Sequence, residues 1–525
     1  MNLLKSTKIS LSEIRGIILV IIGTLTLIFY YSWWFYNDRL TSPWLILCFA
    51  SALFYGIAQI LLSWIVYLGA HHRPSNSLER PEGLTVDVFV TACGEDFEMV
   101  ERNLLACCSL CGDHLTWLLD DGDDPKLAEL AKQLGIGYLT REGRKDAKAG
   151  NVNVALEKTK GDIIALFDVD HIPVPSYLEQ TVGCFADPTV GFVQVMPTFA
   201  NGGGHGFVAQ AATETSFDFY NPTSLGMDGF NSATKMGSNS LIRRVALEEI
   251  GGYQPGLAED LATSIALHAH GWRSRYVAEP LAPGLAPPDL AAWFTQQFKW
   301  ARGVFEVLVT DYPRLFRRLS WGGRMAYAVR TTKYLIGPAI FIHLVAIIAV
   351  LFSGSQAALN TLQEYFYYLT PVALMDITIR HLALRRWHHS SVTTESLWRA
   401  IIIIYASWPI YTVAWIMTVL RLPLSFRPTP KNQADGINPL WLLPQLSMTL
   451  LLMGSTVFSM ITIGMIEQHR LLYLLALCLA VPQLGLLRPL LRPRVKSVWN
   501  NVIGLNVTVS GLFKEESYSH RNNSN

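Results

Sequence analysis

Charged side chains are scarce in this sequence and are missing from several long stretches. Asp, Glu, Lys and Arg make up 16% of the 525 residues, against about 25% in a typical soluble domain. The uncharged stretches are 16–37, 40–70, 334–363, 400–420, 436–466 and 471–487. Several of them exceed the roughly 20 residues that a helix needs to cross a bilayer. The composition therefore excludes an ordinary soluble protein and predicts an integral membrane protein.

The sequence also lacks an excess of either charge and a cysteine framework. Lys and Arg number 42 and Asp and Glu number 41, which gives a net charge of +1. Without a basic block, nucleic acid is not expected as a partner. The seven cysteines show no paired spacing, and Cys108 and Cys111 have no second pair with which to complete a zinc site.

Two uncharged stretches precede one long polar block, and the others follow it. Lys5, Lys8 and Arg15 flank the first stretch, and the positive-inside rule places them in the cytoplasm. Two crossings return the chain to that side, so we expect the polar block to be cytosolic. The predicted units are a transmembrane hairpin (1–70), a cytosolic α/β domain (71–289), interfacial helices (290–333), a C-terminal transmembrane region (334–491) with a cytosolic loop (422–436), and a short cytosolic tail (492–525).

The crossings of the C-terminal region have two interpretations. After a span that begins near residue 334, either 359–379 or 398–420 returns the chain, but not both if the 422–436 loop is cytosolic. Basic residues directly after the first candidate favour it, which leaves 398–420 at the interface or re-entrant. With two further spans near the C-terminus, the predicted total is about six.

The polar block begins with an alternation of strand-like and helix-like segments. Residues 86–90, 115–119 and 163–167 are short apolar runs, and 98–110 and 124–134 between them have helical patterns. Such alternation predicts a mostly parallel sheet with helices on both faces. Ligands of such sheets bind beyond the carboxyl ends of the strands.

Paired carboxylates stand at those strand ends. Asp120 and Asp121 follow one apolar run, and Asp168, Asp170 and His171 follow another. Carboxylates at i and i+2 of an extended segment point to one side, as a divalent cation requires. Aspartates are also common in turns, so either motif alone is weak evidence. Their joint position at strand ends favours a site that holds a cation and a phosphate.

Further motifs lie along the chain. Lys148 belongs to a segment whose lysine, glycine and amides suit a diphosphate or sugar hydroxyls, although the same composition is typical of a solvated loop that enters a helix. Trp300 ends a Gln-x-x-Lys-Trp motif, and a Trp near membrane helices is usually an interfacial anchor. The motifs are 144–153, Gly-Ser-Asn at 237–239, Glu-Asp at 259–260, Gln-x-x-Lys-Trp at 296–300 and Phe-x-x-Thr-x-Lys at 426–431.

The order of these motifs resembles that of the processive, membrane-integrated family 2 glycosyltransferases, most closely the bacterial cellulose synthase catalytic subunits and related β-glucan synthases. The resemblance covers about residues 84 to 431 and the flanking spans. It implies that the α/β domain is a GT-A domain on the cytosolic face of the bacterial inner membrane. It also implies a UDP-sugar donor and a Mg²⁺ cofactor, or Mn²⁺ in its place.

The resemblance implies a role for each matching residue. The donor-binding residues are Thr91, Glu95, Asp120, Asp121, Lys148, Asp168 and Asp170, and the metal ligands are Asp168, Asp170 and His171. The catalytic residues are Glu259 and Asp260, of which Asp260 is the expected general base. The acceptor-binding residues are Asn239, Gln296, Lys299 and Trp300, and the residues of a gating loop over the nucleotide are Phe426, Thr429 and Lys431.

Three positions depart from the family pattern. Ala258 stands where the family commonly has Thr, and Lys299 replaces the usual Arg, which keeps the charge but loses bidentate geometry. Cys93 stands where related enzymes often place Tyr beside the uracil. Near the C-terminus, Arg488 and Arg492 are similar to part of a PilZ signature. Only 33 residues follow Arg492, so we expect no cyclic-di-GMP-binding barrel within this chain.

The predicted function is a processive, inverting β-glycosyltransferase that extends a β-glucan from UDP-glucose and exports it across the plasma membrane. The glucan is cellulose or a β-1,3 or mixed-linkage relative. The partners are the donor, the growing glucan, the lipid bilayer and a periplasmic export subunit. One alternative is a UDP-GlcNAc or hyaluronan-type polysaccharide synthase. Another is a non-processive lipid glycosyltransferase, which needs neither the gating loop nor so many spans. A transporter is disfavoured because the acidic clusters lie in the polar block rather than in the spans.

Overall fold

The structure, a computed structural model, describes most of the chain in separate segments. The segments are 11–35, 43–70, 79–202, 206–353, 362–386, 397–423, 438–464 and 467–487. The predicted gating residues Phe426, Thr429 and Lys431 lie outside the described residues, as does the predicted tail.

Seven strands of the described residues form one twisted sheet. They are β1 (Val86–Ala92), β2 (Leu115–Asp120), β3 (Gly137–Leu139), β4 (Ile163–Asp168), β5 (Val190–Val195), β7 (Ser240–Arg243) and β8 (Arg273–Val277), and the short strands β6 (Thr198–Phe199) and β9 (Pro283–Gly284) pair separately. The order is β3-β2-β1-β4-β7-β5-β8, and β7 alone of these runs antiparallel to both of its neighbours. The predicted mostly parallel sheet is confirmed.

The helices of this domain cover both faces of the sheet. On one face pack α3 (Phe97–Cys108), α4 (Pro125–Leu134) and α6 (Tyr177–Thr181), and on the other α5 (Ala147–Lys158), α9 (Arg244–Glu249) and α10 (Glu259–Ala269). The other helices up to residue 332 are α1 (Leu11–Phe35), α2 (Pro43–Leu68), α7 (Phe207–Asp218), α8 (Ser224–Gly229), α11 (Leu290–Val309), α12 (Asp311–Leu315) and α13 (Trp321–Thr332). Successive β1 side chains point to opposite faces. Val88 packs in the same cluster as Leu104 of α3, whereas Phe89 packs in the cluster of Val152 of α5.

Six further helices complete the described C-terminal region. They are α14 (Ile336–Ser353), α15 (Leu362–Arg386), α16 (Trp398–Ala406), α17 (Trp408–Val419), α18 (Leu443–Thr462) and α19 (Glu467–Gly485). Four stretches of the described residues are long and apolar enough to cross a membrane: Ile14–Trp34, Ile46–Leu68, Trp321–Ser353 and Leu440–Thr462. The third stretch passes through the predicted boundary at residue 333, so α13 continues into the membrane helix.

The return crossing follows neither simple interpretation. The pair α16 and α17 is apolar enough to cross but is bent by 43°, as in a broken span or a re-entrant loop. Helix α15, the favoured candidate, carries Glu364, Asp376 and Arg380 and is not among the apolar spans. It packs instead against α1, where Val372 and Ile379 share a cluster with Leu27 and Trp33. The total of about six spans stays a prediction.

Candidate active site

A cavity of about 760 Å³ opens at the carboxyl ends of β1 and β4 and extends to the membrane helices. Most of the predicted site residues line it: Thr91, Glu95, Asp121, Lys148, Asp168, Asp170, His171, Glu259, Asp260, Gln296, Lys299 and Trp300. The parallel strands end together at this edge, which explains why residues so distant in sequence converge.

Asp168, Asp170 and His171 form a candidate metal site at the end of β4. Their ligand atoms all lie within 4.8 Å of one another, and Asp170 is only 6% exposed. The Nδ1 atom of His171 is buried and makes no hydrogen bond with a described residue. Two carboxylates and an imidazole with an unused nitrogen fit a divalent cation such as Mg²⁺ or Mn²⁺.

Lys148 and two hydroxyls hold Asp168 in place. The Lys148 ammonium donates a hydrogen bond to the Asp168 carboxylate and another, of 2.9 Å, to the carbonyl of Gly237. Thr91 Oγ1 donates to Asp168 Oδ1 at 3.3 Å, and the Asp168 backbone N–H donates to Ser238 Oγ at 2.9 Å. Burial is the largest influence and opposes ionisation of Asp168. The charges of Lys148 and His171 and the hydrogen bond from Lys148 together outweigh it, so the pKa of Asp168 lies below its usual value.

The two neighbouring aspartates at the end of β2 have different surroundings. Asp121 lines the cavity and is bound by Arg141 through two hydrogen bonds of 2.6 and 2.8 Å. Asp120 is turned away from it, because its carboxylate accepts hydrogen bonds from the backbone of Gly122 and Asp124 and from Tyr138 Oη. Asp120 therefore shapes the loop that presents Asp121 and is not in the cavity wall.

Asn239, predicted to bind the acceptor, is also placed behind the cavity wall. Its backbone is left-handed, with a φ of 56°, and its side chain donates to the carbonyl of Ala282 at 2.8 Å. The side chain is fully buried. Asn239 thus fastens the turn before β7, which carries Ser238 against Asp168.

Glu259 and Asp260 occupy the first turn of α10, where the helix dipole favours negative charge. One Asp260 oxygen, Oδ1, accepts from the backbone N–H of Leu261 at 2.7 Å. The structure gives the other oxygen no hydrogen bond within the described residues, so it can accept a proton from a ligand hydroxyl. Ser264 Oγ donates to the Asp260 carbonyl at 2.7 Å and braces the turn.

The Glu259 carboxyl, by contrast, is favoured in its protonated form. Burial, and then the charge of neighbouring Asp260, raises the pKa of Glu259 to about 7. The unfolded chain would release this proton near pH 4.5. Between these pH values the folded protein holds more protons than the unfolded one, so this group makes stability fall as pH rises.

Replacing Glu259 with glutamine should remove that dependence. In the full-length protein without nucleotide, we expect the melting temperature of E259Q to match wild type near pH 4 and to exceed it near pH 8. Glu248→Gln, at an exposed position of α9, is the matched control and should follow wild type throughout. A constant offset of E259Q across the range would contradict the raised pKa.

Helix α11 carries the Gln-x-x-Lys-Trp motif along the cavity. Gln296 is buried, whereas Trp300 is 37% exposed. The helix is attached to the bent pair by two hydrogen bonds, from Trp293 Nε1 to Ser407 Oγ and from Tyr411 Oη to Gln297 Oε1, both 3.0 Å long. These contacts fix α11, and with it Trp300, against the bent pair.

Sequence reasoning missed two basic residues of this region. Arg141 binds Asp121 and the carbonyls of Lys145 and Ala147, and so orders the loop that leads to Lys148. Lys235 is fully buried, and burial, followed by repulsion from Lys148, lowers the pKa of Lys235 to about 7. Nothing in the local sequence distinguishes these residues from solvated surface cations.

Comparison with known proteins identifies the domain. Residues 83–303 match the family model described as "Glycosyltransferase like family 2". This region is a glycosyltransferase family 2 domain. The match begins just before β1 and ends within α11, so it contains the candidate metal site, Asp260 and Trp300.

Curated relatives include bacterial cellulose synthases. The chain is 31% identical over 346 residues to Cellulose synthase 1 of Komagataeibacter xylinus, which covers 62% of this chain and 21% of the relative. It is 33% identical over 290 residues to the UDP-forming cellulose synthase catalytic subunit of Xanthomonas axonopodis pv. citri (strain 306), with 52% and 39% covered. The chain thus spans about a fifth to two fifths of the length of these relatives.

The fold has a solved counterpart. The structure of a mannosyltransferase from Pyrobaculum calidifontis in complex with GDP-Man and Mn²⁺ superposes with a TM-score of 0.50 and 17% identity. The superposition covers 72% of this chain and 99% of that one. This likeness concerns the fold alone, and it confirms the GT-A domain. The membrane-compatible helices are shown by their length and composition.

Proposed function

We propose that this protein extends a β-linked glucan from UDP-glucose and passes the product along its own membrane helices. The main support for the proposal is that a single cavity extends from the Asp168–His171 site past Trp300 to Tyr55 and Gln59 of α2. A donor at one end and a chain along the rest would fill such a cavity. The relatives named as UDP-forming cellulose synthases support the choice of donor.

The transfer would be a single displacement at the anomeric carbon. Asp260 accepts the proton of the acceptor hydroxyl as that oxygen bonds to the anomeric carbon. The bond from this carbon to the phosphate oxygen breaks, and its electron pair leaves with UDP. One displacement inverts the centre, so an α-linked donor gives a β-linked product. Mg²⁺ or Mn²⁺ held by Asp168, Asp170 and His171 would offset the charge on UDP.

The other residues of the cavity would position the two substrates. Thr91, Glu95 and Asp121 would contact the nucleoside, and Lys148 the diphosphate. Gln296, Lys299 and Trp300 would hold the terminal sugar of the acceptor, since an aromatic face binds a pyranose without fixing its register. The gating role of Phe426, Thr429 and Lys431 stays a prediction.

The proposal places the protein in the bacterial plasma membrane with the catalytic domain in the cytosol. The four or five membrane-compatible stretches of the described residues support an integral position. The bilayer and the growing glucan are then its immediate partners, and a periplasmic export subunit would receive the product.

Trp300→Ala should separate elongation from donor use. We expect polymer formation to fall by about tenfold or more because the stacking surface is lost, while UDP release to water continues. Folding should survive, since the ring is partly exposed. Trp321→Ala, at a position 69% exposed on α13, is the matched control. Equal polymer yield from W300A and wild type would remove Trp300 from the acceptor site.

The donor is tested with purified full-length protein in lipid nanodiscs. Radiolabelled UDP-glucose, UDP-GlcNAc and UDP-glucuronate are supplied separately with Mg²⁺, and polymer is digested with linkage-specific glucanases. We expect polymer from UDP-glucose alone. Polymer from another donor would contradict the choice of glucose, and label found only in lipid would indicate a lipid glycosyltransferase instead.

A further inference from the structure

Three cations line the end of the cavity that is formed by the membrane helices. Arg330 belongs to α13, Lys333 follows it in the same continuous stretch, and Arg380 belongs to α15. Gln59 and Tyr55 of α2 hold this wall together, through hydrogen bonds to Thr332 Oγ1 at 2.7 Å and to the Lys333 carbonyl at 2.9 Å. Ionisable groups buried beside membrane helices are costly and usually serve a ligand or a pathway.

Arg380 has its own counter-ions. Its guanidinium lies 2.7 Å from Asp218 Oδ1 and 3.7 Å from Asp376 Oδ2. Asp218 is further fixed by a hydrogen bond from Tyr67 Oη at 2.8 Å. The two carboxylates are therefore engaged with Arg380, and they explain why this cation is tolerated.

Arg330 and Lys333 have no counter-ion of their own. Neither forms an ion pair with a described residue, although the charge of Asp218, which is bound to Arg380, also acts on Lys333. Both stand over the ring of Phe219, at 5.0 and 5.1 Å from its centroid. The Nε atom of Arg330 is buried and makes no hydrogen bond in the described structure. A ring face offsets only part of the cost of desolvating two neighbouring cations. An anion placed between them would offset far more.

We propose that the acceptor carries an oxyanion, a phosphate or a carboxylate, which binds Arg330 and Lys333. This inference rests on the proposed function, since it assumes that the acceptor occupies the cavity beyond Trp300. The donor diphosphate is served at the opposite end by Lys148 and the metal site. A neutral glucan has no group that requires two cations without counter-ions of their own. The anionic group therefore belongs to the starting end of the acceptor, the end from which synthesis of the glucan begins.

The test measures binding rather than turnover, in neutral phosphatidylcholine nanodiscs without donor. The probes are cellotetraose, the same oligosaccharide with a terminal glucuronate, and glucose linked to a polyprenyl phosphate. We expect at least one charged probe to bind about tenfold or more tighter than its neutral counterpart, a tetrasaccharide or a polyprenyl glucoside without phosphate. Arg330→Gln and Lys333→Gln should each abolish most of that ratio and leave neutral binding unchanged.

The controls separate charge from folding. Arg324→Gln removes a cation from the same helix at a position outside the cavity wall and should keep the ratio. Arg330→Lys retains the positive charge and should keep much of the ratio of charged to neutral probe affinity. If the glutamine variants do not fold, wild type still decides, because added salt should weaken the charged probes alone.

The outcomes distinguish this inference from the proposed function. Tighter binding of the glucuronate probe identifies a carboxylate on the sugar, and tighter binding of the lipid probe identifies a phosphate. Equal binding of charged and neutral probes, or an equal loss for both in R330Q and K333Q, would overturn the inference. Failure to polymerise from any donor would contradict the proposed function. The ratio of charged to neutral probe affinity could still be measured, because the binding test uses no donor.

Discussion

Asp260→Asn should lower sugar transfer by about 10²- to 10⁴-fold, the range expected for loss of a general base. The amide keeps the size of the side chain and can still accept from the Leu261 N–H, as Asp260 Oδ1 does at 2.7 Å. It cannot take the proton of the acceptor hydroxyl. The rate at which radiolabelled glucose enters polymer measures the loss.

UDP affinity is the internal control for this variant. We expect D260N to bind UDP within about twofold of wild type, because the metal site and Lys148 are untouched. Asp311→Asn removes a carboxylate from the first turn of another helix, where it pairs with Arg314, and should leave transfer unchanged. Substantial polymerisation by D260N would exclude Asp260 as the base.

Asp170→Asn should weaken metal-dependent UDP binding by about 100-fold or more. Loss of a residue that only hydrogen-bonds a metal ligand lowers metal affinity by about 10- to 100-fold, and loss of the ligand itself should cost at least as much. Asp170 is nearly inaccessible, and its carboxylate lies beside His171, with 3.4 Å between Oδ1 and Nδ1. Calorimetric titration of UDP with Mn²⁺ and with EDTA measures the metal-dependent part.

The expected pattern is specific to the metal. D170N should match wild type in EDTA and fall below it when Mn²⁺ is present. Asp113→Asn, at an exposed position before β2, should behave as wild type in both conditions. If D170N bound UDP equally well with Mn²⁺, the carboxylate would not be a metal ligand.

The sheet could be predicted from sequence where strands are buried on both faces. β1, β2 and β4 appear as short, mostly apolar runs, and their predicted bounds agree with the structure to within two residues. The sequence analysis missed β7 because this strand has only four residues. They begin with Ser and end with Arg, and they show no alternation of apolar and polar side chains. Its position between β4 and β5 depends on pairing across the sheet, which a local pattern does not contain.

The residue types of the site could be predicted from sequence, but the direction in which each side chain points could not. Asp120 and Asp121 are chemically identical neighbours, yet one organises a turn and the other faces the cavity. On an extended strand adjacent side chains point to opposite sides, and the choice depends on Tyr138 and Arg141, which pair with them from about 20 residues away. Motif order alone could not supply these partners.

The membrane region shows a related limit. Composition located the apolar stretches, but the bend between α16 and α17 is a local event at Ser407, whose hydroxyl bonds back to the Ile403 carbonyl at 2.6 Å. Helix α15 is long enough to cross but too polar, and its Arg380 pairs with Asp218 of α7. The length of a helix in the sequence does not reveal an ion pair of this kind with a distant residue, so the packing of α15 could not be predicted.

The central claim is that one cavity holds donor, catalytic carboxylate and growing chain. The most direct measurement is an electron cryomicroscopy structure of the nanodisc protein after synthesis with UDP-glucose and Mg²⁺. We predict continuous density for β-linked sugars from beside Asp260, over Trp300, to the wall of Tyr55 and Arg330. An empty cavity in a sample that has made polymer would contradict the account.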